Sequence, residues 1–266
     1  MRLNISFLPP EDVIKGFYAY WWPLLKYPTP ISNLPMGHNV LQKLYFHLLP
    51  KLGVNRHFPS VMTTAPTFLG GLGLPNFEWE QAIQHINVFS IFYRSTCNLG
   101  KLLSMSLEYC QLHIGSTQCF LNLPYLKHHF LLPSTWVHII WEFLSTFQLQ
   151  IHLDRFPVPQ PHRELDISIM DAIRETSFFS TAELLHISKF RLYLQVYFLS
   201  DLVIGDCNRV HPSYLHGEQN ICCKSSFHWP KHVPSTYQRQ LWITAISMIT
   251  DSHACLKRNL GNIIRQ

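Results

Sequence analysis

The residues best suited to chemistry gather near the C-terminus: Cys207, His211, His216, Cys222, Cys223, His228 and His232. Thiolate and imidazole are ligands that zinc accepts, converging as two close pairs on a tetrahedral ion. His228 and His232 suit one pair. Cys222 and Cys223 are adjacent, so their side chains diverge and the second pair is poor. A small zinc-binding protein therefore stands as an alternative to scattered loop side chains, and no metal-ligand set is assigned. Gly70, Gly71 and Gly73 precede a helical segment, as phosphate-cradling loops do. They lack both the lysine of GxxxxGK[ST] and the GxGxxG spacing. A tight structural turn, where backbones pack closely, is the expectation for them.

The remaining reactive side chains do not assemble. Asp166 and Asp171 are five apart, off one helical face, and are expected to be solvated surface residues. Apart from Glu11 and Asp12 no two acidic residues are adjacent, so a paired-aspartate turn is absent. Cys97, Cys110 and Cys119 have no basic neighbourhood to activate a thiolate and are expected to pack as small hydrophobes. No catalytic constellation can be completed, so the chain is not expected to be an enzyme on its own. Neither a cofactor nor a small-molecule substrate is expected. Tyr18, Tyr20, Trp21 and Trp22 lie between Lys15 and Lys26. That interleaving suits stacking on single-stranded bases, and equally suits an ordinary aromatic core.

The elements that would position these residues read as mainly α: an irregular multi-helix assembly with a few short strands in the C-terminal half. From Asn39 to Leu49, Val40, Leu41, Leu44, Tyr45, Leu48 and Leu49 form one helical stripe, stopped by Pro50 and Gly53. Asn76 can cap a second helix, with Ala82, Ile83, Ile86, Phe89 and Tyr93 facing inward. A third runs from Thr96 through Leu99, Leu102, Leu103, Leu107, Cys110 and Ile114 to Gly115, and a fourth begins at Ser134 and presents Trp136, Ile140, Phe143, Leu144 and Phe147. Gln148–Asp154 alternates like a short strand. The proline-rich stretch Phe156–His162 marks the expected boundary between a helical region, 1–155, and a C-terminal helical region, 156–266, with a long loop at 205–234. In the second region Leu165, Ile169 and Ile173 suggest a short helix. Ser180 and Glu183 form a capping box. Arg191–Phe198 alternates like a strand, but the capping box and the apolar run to Val203 favour helix. A final helix from Ser235 should bury Leu241, Trp242, Ala245, Ile246 and Ile249.

Composition narrows the partners. Of 266 residues 47% are hydrophobic and 14% charged, against about 25% charged in ordinary soluble domains. With 18 prolines dividing the chain into short elements, this favours apolar surface awaiting a partner over one very large core. The formal charge of +5 permits a polyanionic partner without requiring one. The uncharged stretch Gly16–Leu25 is too short to span a membrane and contains Pro23. Seven irregularly spaced cysteines and the lack of a signal-peptide pattern point to a cytoplasmic or nuclear, not secreted, protein.

Several spaced fragments together resemble a known family. Lys51-Leu-Gly-Val-Asn-Arg56, then Gly70-Gly-Leu-Gly-Leu-Pro75 and Glu80-Gln81, resemble the stretch after the polymerase palm in non-LTR-type retroelement reverse transcriptases. Arg191-Leu-Tyr-Leu-Gln195, Leu199-Ser-Asp201, Ser226-Phe-His-Trp-Pro230 and Trp242 resemble the more distal part of the same polyproteins. Order and spacing agree from about residue 35 to 245. The resemblance implies thumb-like and connection-like material: a non-catalytic C-terminal fragment with residual affinity for a template–primer duplex, its partner palm domain missing. The chain departs from a full RNA-directed DNA polymerase in lacking a Tyr-x-Asp-Asp turn and in starting, at Met1, where the palm should have ended. No catalytic residue carries over. Lys43, Lys51 and Arg56 become the candidates for phosphate contact. A helical protein–protein interaction module remains the alternative from a different class.

Overall fold

The computed structural model describes residues 9–32, 40–133, 135–153, 159–205, 207–219, 228–231 and 233–264, and for 40–43 the backbone alone. The chain divides into two compact units, Met1–Ser95 and Thr96–Gln266. The helices of the first are α1 (Pro10–Gly16), α2 (Trp22–Lys26), α3 (Val40–Leu48), α4 (Ser60–Thr64) and α5 (Phe77–Phe92). Those of the second are α6 (Asn98–Ile114), α7 (Tyr125–His128), α8 (Trp136–Thr146), α9 (Ile169–Glu175), α10 (Thr181–Leu194), α11 (Pro212–Leu215) and α12 (Thr236–Ile249). The fold is mainly helical. Extended pairing among the described residues is limited to isolated bridges, such as Ser168 with Phe198, Val203 with Val210 and Thr250 with Leu256, all in the C-terminal half.

In the first unit α1 and α2 are joined by a π turn, Phe17–Trp21. Pro23 has no N–H for the carbonyl four residues back, and the wider turn just before it absorbs that misfit. The stretch Gly16–Leu25 lies within this broken helix, and among the described residues no helix is long and apolar enough to cross a membrane. Val13, Phe17, Tyr45, Leu48, Leu74 and Phe77 form a core, with Trp21 and Trp22 packed against it. Asn76 caps α5 as expected, its Oδ1 accepting from Glu78 N at 2.9 Å and Trp79 N at 3.3 Å. The buried face of α5 differs from the expected one: Phe77, Gln81, Ala82, His85 and Phe89 are buried, while Ile83 is exposed. The reason is polar. Gln81 Nε2 donates to Ser32 O at 3.2 Å and His85 Nε2 to Thr29 O at 2.9 Å, satisfying carbonyls of the turn after α2.

The second unit packs α10 against α6 and α12. The expected starts of α10 and α12 hold. Ser180 with Glu183 and Ser235 with Gln238 form reciprocal capping boxes, and Ser168 caps α9. For α6 the cap is Cys97 rather than Thr96, its sulfur accepting from Gly100 N. Cys97 is therefore an exposed capping residue, while Cys110 is buried as expected. Leu241, Trp242, Ala245, Ile246 and Ile249 are all buried on α12.

At the centre of this unit sits Arg191, fully buried. Its Nη1 donates to Val196 O at 3.1 Å and its Nη2 to Leu112 O, and its guanidinium lies 5.3 Å from the centre of the Tyr197 ring. Burial pulls Arg191 down to about 10. Gly115 ends α6 at φ +61°, where glycine is the unstrained choice, and an added Cβ would lie 3.0 Å from this guanidinium. Around the arginine, Gln111 Nε2 donates to Ser116 O and Gln118 O, and the Tyr197 hydroxyl donates to Ser116 O at 2.7 Å. Asp201 Oδ2 accepts from the Tyr197 and Phe198 amides at 2.7 and 2.8 Å.

Three expectations change here. Gln148–Leu153 pairs with no strand among the described residues, and Asp154 lies outside them. The segment Arg191–Phe198 is half helix and half extended: α10 ends at Leu194, Gln195 turns left-handed at φ +59°, and Phe198 bridges to Ser168. The division of the chain falls at Ser95–Thr96 rather than at 155–156, because α6 is tied to α10 and to the segment after it through Gln111, Leu112, Tyr197 and Arg191. Of the proline-rich stretch, Phe156, Pro157 and Val158 lie outside the described residues.

Candidate nucleic-acid interface

The segment carrying Lys51 and Arg56 begins where α3 tightens into a 3₁₀ turn, Leu49–Leu52, and Gly53 caps it in the left-handed conformation. Asn55 then folds the chain back, its Oδ1 accepting from His57 N at 2.9 Å. This brings Arg56 over the Phe46 ring, with the guanidinium carbon 5.1 Å from the centroid, and sets His57 edge-on to the same ring. Such a cation over an aromatic face is held by the ring quadrupole.

α4 follows and ends at Ala65, which the next residue, Pro66, keeps extended. The three glycines then return the chain along α4. Gly70 and Gly73 sit at φ +80° and +63°, Gly73 N donates to Ala65 O at 2.9 Å, and Leu72 N and Leu74 N donate to Met62 O and Thr63 O. Gly71 is the tightest point: a Cβ there would lie 2.1 Å from Ala65 O. Tyr18 Oη donates to Gly73 O at 3.3 Å, and Tyr45 Oη to Pro75 O. Burial raises both phenols above their ordinary pKa. The glycine cluster makes a tight turn with its amides engaged in backbone hydrogen bonds.

The returning segment and the start of α5 close a groove of ≈ 600 Å³, within the range of ordinary ligand sites at roughly 300–1,000 Å³. Phe46, Arg56, His57, Phe58, Asn76 and Trp79 are among its lining residues. The wall also carries Glu78. Arg56 and Trp79 are both exposed at this groove.

Of the residues singled out from sequence, Arg56 lines this groove. Lys51 is half-buried on the 3₁₀ turn and does not line it. Lys43 is in α3, and its side chain lies outside the described residues. The aromatic lining was missed. Phe46, Phe58 and Trp79 are spread over 34 positions, a spacing with no period, and only the fold gathers them. The cluster that sequence pointed to divides instead: Trp21 and Trp22 pack on the core, while Tyr20 is 71% exposed.

The other candidates do not assemble. Cys207 Sγ donates to Ile204 O, His211 Nδ1 accepts from Ser213 N to cap α11, and His228 lies beside Glu108. Cys222, Cys223 and His232 lie outside the described residues. Among the described residues no group of three or more His, Cys, Asp or Glu could hold a metal ion. Asp166 and Asp171 are not solvated surface residues. Asp166 is buried, with Oδ1 accepting from Ser200 N, and burial raises its carboxyl. Asp171 accepts from Ser116 Oγ, Thr117 N and Arg174 Nη1. Both carboxylates serve as acceptors for nearby backbone and side-chain donors, which the local sequence does not show.

The distal fragments of the resemblance build the buried centre of the second unit: Arg191, Gln195 and Asp201 as described, and Trp242 through Nε1 donating to Tyr214 O at 2.8 Å. Trp229 packs on Leu112, Leu192, Tyr197 and Phe198. Ser226 and Phe227 lie outside the described residues. Compared with protein-family models, with curated proteins and with solved structures, the chain matches none.

Proposed function

We propose that this chain is a non-catalytic, thumb- and connection-like segment of a retroelement reverse transcriptase, and that its first unit holds a template–primer duplex. One observation carries the reading: Arg56, from the first resembling fragment, stands over Phe46 at an aromatic-lined groove that Pro75, the last residue of the next fragment, also lines. In this reading Lys51 and Arg56 contact phosphates, and the exposed indole of Trp79 stacks on an unpaired template base beside the duplex. Phosphoryl transfer needs metals held by paired carboxylates. The purified chain should therefore incorporate no nucleotide on a primed template.

The test is duplex binding by fluorescence anisotropy across a salt series. Lys51→Ala and Arg56→Ala should each weaken binding and flatten the plot of log affinity against log salt, by about 0.9 for each phosphate no longer neutralised. Trp79→Ala should weaken binding without changing that slope. Salt slopes identical to the unmodified chain in both charge variants would refute the reading.

A second reading rests on a separate observation. In the same unit Tyr27, Ile31 and Phe68 are more than 80% exposed. Isolated apolar side chains are common on surfaces, but this many suits a protein partner. Capture of a partner that survives nuclease treatment, with no duplex binding, would favour a helical interaction module.

A further inference from the structure

The second unit holds a smaller pocket, unrelated to the groove of the first. Lys127 and His128 of α7, Phe130, Arg174 of α9, Ser177 and Phe179 line it, and α10 contributes Thr181 and Leu184. Its volume is ≈ 220 Å³, below the roughly 300–1,000 Å³ of a drug-sized site, so it can take the end of a molecule and not a whole one.

The charges around it are one-sided. Lys127, His128 and Arg174 are the titratable side chains lining it, and no carboxylate does. The acids on neighbouring elements each have a partner, Asp171 on Arg174 itself and Glu183 at the first turn of α10. Asp171 is held by Ser116, Thr117 and Arg174, Glu175 pairs with Arg258 at 3.2 Å, and Glu183 turns back onto Ser180. Lys15, Lys26, Arg239 and Arg258 each have an acidic partner, whereas Lys127 is exposed and forms no ion pair among the described residues. Asp171 meets Arg174 at Nη1 and Arg174 Nη2 donates to Ile114 O at 2.7 Å, while Arg174 Nε is buried with no acceptor among the described residues. Burial holds His128 below its ordinary pKa, and the charges of Arg174 and Lys127 act in the same direction.

Two further features add donors. Ser177 follows the C-cap of α9 at φ +51°, a position where glycine is the unstrained choice. Serine there brings a hydroxyl to the wall in place of an easier backbone. Thr181, in the first turn of α10, also lines it, beside the capping box of Ser180 and Glu183. Phe130, Phe179 and Leu184 supply apolar walls beside these donors.

We infer that this pocket binds a terminal phosphate monoester, with the cations and hydroxyls around the phosphate and the apolar walls against the group that bears it. Lys127 is the one lining cation whose charge no carboxylate balances among the described residues. The site is independent of the duplex-binding reading of the first unit. A free nucleotide and the phosphorylated end of a nucleic acid present the same chemistry.

The full chain would be titrated by calorimetry with adenosine monophosphate and with one short oligonucleotide carrying either a 5′-phosphate or a 5′-hydroxyl. The monophosphate and the phosphorylated oligonucleotide are expected to bind, the hydroxyl form at least about tenfold more weakly. Tighter binding of the oligonucleotide than of the monophosphate would identify a nucleic-acid end as the source; the reverse would identify a free nucleotide. Lys127→Ala should weaken monophosphate binding about tenfold. Ser177→Gly should weaken it severalfold while leaving the melting temperature unchanged or higher, which separates a binding role from a structural one. No binding at roughly millimolar monophosphate, equal affinity for the two oligonucleotides, or no effect of either pocket variant would overturn the assignment.

Discussion

The two units use their apolar residues differently. Among the described residues the first buries nine hydrophobic side chains and leaves thirteen large ones exposed, while the second buries 38 and exposes fourteen. The second therefore has a core deep enough to surround a charge. Arg191 sits in it with no ion pair among the described residues, held by carbonyls of Leu112 and Val196 and by the face of Tyr197. The first unit instead buries neutral polar groups in a small core, where Gln81 and His85 answer the carbonyls of one turn. A thin core with open aromatics suits a surface that is completed by a partner. A deep core with a buried polar centre suits a scaffold.

The largest expected effect tests the deep core. Arg191→Ala would orphan two buried carbonyls and leave a cavity beside Tyr197, costing about 3–5 kcal/mol. Hydrogen exchange should show protection lost across α6, α10 and α12 and retained in the first unit. Loss of protection in both units together would break the contrast between them.

Gly71→Val comes next. Its side chain would overlap Ala65 O, which is backbone and cannot step aside cheaply. A cost of about 2–3 kcal/mol is expected, and in a unit with so small a core that is a large share of its stability. Exchange should now rise in 60–92 and not in α10 or α12. Unchanged exchange throughout would mean that the glycine turn does not hold the first unit together.

Acid should act mainly through the second unit. Burial lowers His113 to about 4, with Arg191 and Lys189 adding to the effect. The unfolded chain, with imidazoles near 6.5, then binds more protons than the folded one. The stabilisation is complete above about pH 6.5 and is lost as pH falls towards 4, a decline of about 1–2 kcal/mol between pH 7 and 5. His113→Gln should flatten that decline in denaturant titrations. Asp166 and Asp201, raised by burial, act in the opposite sense on acidification, so this variant isolates the imidazole. An equally steep decline in the variant would remove His113 as its source.

The smallest effect is local. Asn76→Ala removes an acceptor for two free amides at the start of α5 and should cost about 1 kcal/mol. Thermal melts should show it in the first unit. No change would mean that solvent caps α5 equally well.

What the sequence determined lies within four or five residues along the chain. The Asn76 cap, the capping boxes at Ser180 and Ser235 and the stop at Gly115 each join a side chain or backbone group to a near neighbour, so residue type and spacing suffice to place them. The buried stripe of α12 was equally readable, since one helical face is a repeating pattern. Tertiary structure decided the rest. Which face α5 turns inward depends on Thr29, 56 positions from His85, and the burial of Arg191 depends on Leu112, 79 positions away. A lone arginine in a helix normally implies a solvated face, and nothing nearby in the sequence says that two carbonyls and a phenol ring wait for it. The candidate site divides along the same line. Arg56 could be named from its own segment. Its setting among Phe46, His57 and Trp79 exists only because the Gly70–Gly73 return, tight enough to exclude a single Cβ, brings the start of α5 back beside α3 and α4.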